Sequence, residues 1–109
     1  MFTFDDFTKR IDALALQKII KEVNAEDMVR ALKMAEQKQP EVYEYFIDNM
    51  SKRAAEGMKE EIEGYGALRM KDAEESQQNI IRITRELAKA GQLEIMEVEA
   101  DDGSGTGML

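Results

Sequence analysis

One local device recurs along this chain: a short polar residue that can cap a helix, followed by apolar residues three and four positions apart. Asp12 precedes "ALALQKIIKEV", in which Leu16, Ile19, Ile20 and Val23 fall at i, i+3, i+4 and i+7. That spacing gathers four apolar side chains on one face of an α-helix, whereas a strand needs alternation. Asn24 precedes Met28, Ala31, Leu32 and Ala35 at the same spacing. Asp and Asn there can accept from the free N–H groups of the first turn. The pattern breaks at "EQKQP". Pro40 suits the first turn of a new helix, where a missing N–H costs nothing. That helix carries Val42, Tyr43, Phe46, Ile47 and Met50. Ser51 is the expected cap of the next, over 52–65, and Gly66 its stop, since glycine enters the left-handed region without a Cβ clash. A last helix is expected over 71–90, with Ala73, Gln77, Ile80, Ile83, Thr84 and Leu87 inward and Gly91 closing it. A short helical turn is expected around Phe4 to Lys9. "QLEIMEV" alternates weakly and reads as a short extended piece, and "EADDGSGTGML" as a disordered tail. The chain is thus all-α: five main helices plus the N-terminal turn, in a domain of about 1–96 followed by a tail at 97–109.

The residue inventory narrows the chemistry. The 109 residues suffice for one domain with a modest core. With a formal net charge of −8, nucleic acid is a poor partner, because phosphate binding needs clustered Lys and Arg. The chain has no Cys and no His. That removes disulfides, thiolate and imidazole metal sites, cysteine nucleophiles and a Ser-His-Asp relay. The expectation is a protein that is not an enzyme and has no cofactor or metal. No apolar run approaches the ~20 residues that span a bilayer. "MFTFDDFTKR" is acidic where a secretory signal is basic. A soluble protein is expected.

The stretch "NMSKRAAEGMKEEIEGYGALRM", residues 49–70, concentrates charge on one helix and its exit. At about 100° per residue, Arg53 and Glu60 project within roughly 20° of each other, and Glu61 lies about 80° round from Arg53. Ala55, Met58, Ile62 and Tyr65 centre on the opposite side. The helix therefore buries one face and presents Arg53, Glu56, Glu60 and Glu61 to solvent. A charged outer face is the ordinary condition of a surface helix, and Glu56–Lys59 and Lys59–Glu63 are spaced to stabilise it by ~0.2–0.5 kcal/mol each. Lys52 and Arg53, however, stand in the first turn, where the helix dipole disfavours cations. Stability alone would have placed carboxylates there. Glu60 and Glu61 diverge by about 100°, so they cannot share a proton or chelate one ion unaided.

"NMSKRAA", then "EEIE", a Gly-containing turn and "LRMKDAEESQQNII", resemble the C-terminal domain of the flagellar motor switch protein FliG. "MFTF" resembles that family's Met-Phe-x-Phe hinge, and "LQKIIKEV" and "ALKMAEQ" its next two helices. The resemblance is collinear over about residues 1–95. It implies a compact, right-handed, armadillo-like superhelix of about five to six helices. It implies a place on the rotor rim, cytoplasmic, at the flagellar basal body on the inner face of the cell membrane. There, charges on one helix meet the cytoplasmic loop of the stator protein MotA and help to produce torque. Carried over by position, the stator-binding residues are Lys33, Arg53, Glu60, Glu61 and Arg69, and the hinge residues are Met1, Phe2 and Phe4. The implied partners are MotA and the other switch-complex proteins, FliM and neighbouring FliG copies. The isolated domain is expected to be a monomer.

The chain departs from the family pattern in places. Ala67 and Leu68 replace the Pro and Val before Arg69, leaving that turn less fixed. Met34 replaces a usual Gly, and the segment around "QKQPEVYEY" looks a few residues longer. "MFTF" also has a plainer reading, as apolar residues that cap the core. Two other functional classes stay open at this point. One is a generic helical protein-docking module. The other is a Mg²⁺-sensing acidic domain of the kind found on MgtE-type channels, which needs convergent carboxylates, for example among Glu60, Glu63, Glu74 and Glu75.

Overall fold

In a computed structural model, residues 1–97 are described. The expected tail falls almost wholly on 98–109, outside them. The described residues are all helical apart from connecting segments, with no strand. A 3₁₀ turn, Phe4–Asp6, runs into α1, Phe7–Arg10. Then follow α2, Ala13–Glu22; α3, Ala25–Lys38; α4, Pro40–Asp48; α5, Lys52–Gly64; and α6, Met70–Lys89.

The expected caps form. The side chains of Asp12, Asn24 and Ser51 accept from the backbone N–H of Ala15, Asp27 and Ala54 and so start α2, α3 and α5. Pro40 opens α4 after a break of a single residue, Gln39. Gly66 and Gly91 hold φ of +85° and +78°, the left-handed stops expected after α5 and α6. At the second stop, Gly91 N–H donates to Ala88 and Gln92 N–H to Leu87, which satisfies two end carbonyls of α6.

The long helix α3 is the hub: α6 lies along it, and α4 and α5 pack on its flanks. Its stripe of Met28, Ala31, Leu32 and Ala35 is buried, together with Leu16 and Ile19 of α2, Val23 just past its end, and Val42, Phe46 and Ile47 of α4. The inward face of α6 differs from the sequence expectation. Ala73, Gln77, Ile80 and Thr84 are buried as expected, but Ser76 and Ile81 are buried too, while Ile83 and Leu87 are only half-buried. The cause is a polar seam against α3. Ser76 Oγ donates to Asp27 Oδ1 at 2.8 Å and Asn79 Nδ2 to Asp27 Oδ2 at 3.3 Å. Gln77 Nε2 donates to the Ala31 carbonyl at 3.1 Å and to Gln39 Oε1 at 3.2 Å. These bonds satisfy groups that would be costly to bury alone, and they set the rotation of α6.

After α6 the chain turns back. Leu93 and Ile95 pack against the core while Glu94 and Met96 face out, the alternation expected of an extended piece, though no strand forms.

Candidate functional site

Helix α5 is the most exposed of the long helices. Only Ile62 is fully buried, with Ala55, Met58 and Tyr65 half-buried beside it. This is the face the sequence assigned to the interior. Arg53, Glu56, Glu60 and Glu61 are exposed, and Arg53 and Glu60 stand about 10 Å apart along the axis. Among the described residues none of these four takes part in an ion pair or a side-chain hydrogen bond. The expected Glu56–Lys59 and Lys59–Glu63 pairs are likewise not formed. Fully solvated side chains gain little from pairing and lose rotamer freedom. The ridge thus carries charge that no other described residue pairs.

The other two charges sit differently. Arg69 occupies the N-cap position of α6, its side chain 86% exposed, with Nε 3.4 Å from Asp72 Oδ2. Lys33 lies on α3, half-buried, behind the ridge. Its Nζ donates to the Ile62 carbonyl at 3.1 Å. That carbonyl belongs to the last turn of α5, where a cation also meets the negative end of the helix dipole. One turn earlier on α3, Arg30 Nε donates to the Tyr65 hydroxyl at 2.7 Å, and its Nη2 contacts Glu26 at 2.8 Å. The hydrogen bond with Tyr65 pushes the Arg30 guanidinium above its already high ordinary pKa. Two cations of α3 therefore clamp the C-terminal end of α5. Sequence reasoning missed Arg30, because its partner is 35 residues away; the visible signal was a second cation three positions before Lys33.

At the N-terminus, Phe2 and Phe4 are buried and Met1 is fully exposed. Phe4 stacks on Phe46 at 5.6 Å, and Phe7 meets Phe2, Phe4 and Phe46 edge-on at 5.0–5.1 Å. The core-capping reading of "MFTF" therefore holds for both rings. Arg10 fastens this segment. Its guanidinium lies 5.5 Å from the Phe2 ring centre and donates to the carbonyls of Met1 at 3.4 Å and Met96 at 2.6 Å. Met96 N–H returns a bond to the Arg10 carbonyl at 2.9 Å.

The Mg²⁺-sensing class needs carboxylates that converge. Among the described residues no group of three or more acidic side chains is placed to hold a metal ion, so the convergence that Mg²⁺ sensing needs is missing there. No described helix is long and apolar enough to cross a membrane.

The described residues form an all-helical domain built round one central helix, with a ridge whose charges make no ion pair among those residues. Residues 1–95 match the FliG C-terminal domain family, and the chain belongs to that family. It is 40% identical to the flagellar motor switch protein FliG of Bacillus subtilis over 94% of its own length and 29% of the relative's. For FliG of Thermotoga maritima the identity is 44%, covering 87% of this chain and 27% of that one. The crystal structure of Helicobacter pylori FliG, residues 116–343, superposes with a TM-score of 0.76 at 36% identity, over 85% of this chain and 39% of that one. Full-length FliG from Aquifex aeolicus gives 0.76 at 31% identity, over 84% and 27%. The chain thus spans less than a third of the length of the relatives named by sequence.

Proposed function

We propose that this domain is the face of a flagellar rotor that meets the stator, with the α5 ridge contacting the cytoplasmic loop of MotA to produce torque at the inner face of the cell membrane. The observation that carries the proposal is the uncommitted charge of Arg53, Glu60 and Glu61 on an otherwise thinly anchored helix. Exposed ion pairs are worth ~0–1 kcal/mol each, which suits contacts that form and release at every step. Arg69 extends the ridge beyond the turn at Gly66. Lys33 serves the same surface from behind, by fixing the end of α5. The remaining switch-complex partners, FliM and neighbouring FliG copies, would engage parts of the rotor protein outside this chain.

Switching fits a rigid-body turn of the whole domain about "MFTF". Phe2 and Phe4 travel with the core to which they are packed, so the pivot falls at Met1 and the backbone beside it. Such a turn presents the ridge in the opposite polarity, and it needs two packings of similar free energy.

The test is allele-specific. Arg53→Glu should weaken motility in cells whose rotor carries this domain, and a reversed charge on the stator loop should restore part of it. If no stator reversal rescues any of the ridge variants, direct pairing is wrong.

A further inference from the structure

Arg10, the last residue of α1, reaches both ends of the described chain. Its side chain is only 20% exposed. Nη1 donates to the Met1 carbonyl at 3.4 Å and lies 3.8 Å from Asp6 Oδ2, while Nε donates to the Met96 carbonyl at 2.6 Å. Asp6 Oδ2 in turn accepts from the Thr3 N–H at 2.9 Å. On the Met96 side the junction holds a strap. Lys18 Nζ pins its start by donating to the Gln92 carbonyl at 2.6 Å, and Leu93 and Ile95 pack on the core. The Met96 N–H donates to the Arg10 carbonyl at 2.9 Å. Among the described residues, Arg10 alone makes hydrogen bonds to 93–97.

On the Met1 side the junction holds the pivot. The Met1 carbonyl shares a peptide plane with the Phe2 N–H, and Phe2 is buried. One torsion, about the Phe2 N–Cα bond, separates that plane from the buried residue. While Arg10 holds the carbonyl, that torsion is fixed, and the domain turns only at Met1 itself and before it. When Arg10 lets go, the torsion joins the pivot. A contact made in one packing and lost in another biases the balance between them.

We propose that Arg10 is a positioning residue for the pivot and that the strap at 92–97 sets its grip, an inference that rests on the hinge reading. Met96 and Asp6 hold the guanidinium in one orientation, and the planar fork of arginine suits several fixed acceptors at once. Freeing the strap returns rotamer freedom to Arg10 and weakens its bond to Met1. A change at the far end of the described chain is thereby felt at the pivot, as a shift towards the other packing.

The test uses the 109-residue chain and the same chain grafted into a rotor. Met96→Pro removes the N–H that donates to the Arg10 carbonyl, and Arg10→Met removes the guanidinium but keeps an apolar stem. In the chain alone, each should speed amide exchange at Thr3 about fivefold while protection in α3 holds; unchanged exchange at Thr3 overturns the coupling. In tethered cells, each should change the ratio of time spent in the two rotation senses about fivefold and in the same direction. The double variant should go no further than Arg10→Met alone, because both act through one contact. A brace with a structural role only would lower the melting temperature and leave that ratio alone. Met1→Pro, at a position internal to the graft, stiffens the pivot itself. A changed ratio there, with none in the Arg10 and Met96 variants, overturns the proposal and leaves the hinge reading standing. No change in any of the three overturns the hinge reading, and the proposal with it.

Discussion

Replacing Lys33 with Met separates two roles that one residue could hold, a contact with the partner and a strut for the ridge. Met keeps an apolar stem of similar length and removes only the ammonium that donates to the Ile62 carbonyl at 3.1 Å. A hydrogen bond from a charged donor contributes about 1.5–3 kcal/mol when buried. Lys33 is only half-buried, so the value falls towards or below the lower end, and part of it is the cation's favourable place at the helix terminus, about 0.3–1 kcal/mol. A loss of about 1 kcal/mol is expected. It should be local, because Ile62 and the Arg30–Tyr65 bond still hold α5 to α3. Amide hydrogen exchange of Lys33→Met should therefore speed up about fivefold over the last turn of α5 while protection in α6 changes less. A reversed stator charge should not restore the motility lost in this variant, since the defect lies in the placement of α5. Unchanged exchange at the end of α5, with rescue by a stator charge, would refute the strut and make Lys33 a plain contact.

Three further outcomes follow from the same structure. Phe4→Ala should cost about 3–5 kcal/mol in urea unfolding, because Phe4 is 3% exposed between Phe7 and Phe46; Met1→Ala, at a fully exposed position, should cost nothing measurable. Gly57 is helical and exposed, and an added Cβ there meets nothing within 4 Å, so Gly57→Ala should stabilise the fold by about 0.5–1 kcal/mol and raise Tm by roughly 2–8 °C. Burial, aided by Glu36 for Tyr43 and by Asp12 for Tyr45, pushes both phenols above their ordinary pKa. The stability they carry is full below the unfolded value of about 10 and is lost as pH rises through the folded one. Alkaline denaturation should steepen above about pH 10 and be milder in Tyr43→Phe, which leaves no group to ionise at that position.

How much of this was legible in the sequence depended on whether the signal was local. The caps at Asp12, Asn24 and Ser51 and the stops at Gly66 and Gly91 need only neighbouring residues, and they were readable. The apolar faces of α2, α3 and α4 follow from spacing alone. The rotation of α6 was legible only in part: Gln77 and Thr84 read as inward, but the bonds of Ser76 and Asn79 to Asp27, which turn the helix further, join polar residues about 50 positions apart that apolar spacing does not mark. That is why Ile83 and Leu87 were expected deeper than they lie. At the candidate site, the outward set of Arg53, Glu60 and Glu61 came from helix geometry and the roles of Lys33 and Arg69 from family likeness. The strut made by Lys33 could not be read, since its acceptor is a backbone carbonyl 29 positions away.

The central claim is that the α5 ridge is a torque surface. Its most direct test grafts residues 1–109 in place of the C-terminal domain of the rotor protein in a FliG-null strain. Beside it stands the same graft with Arg53→Glu, Glu60→Lys and Glu61→Lys. The account predicts that both strains assemble flagella, that the unaltered graft swims, and that the triple reversal does not. Equal swimming of the two grafts would contradict it and reduce the ridge to a solvated helix face.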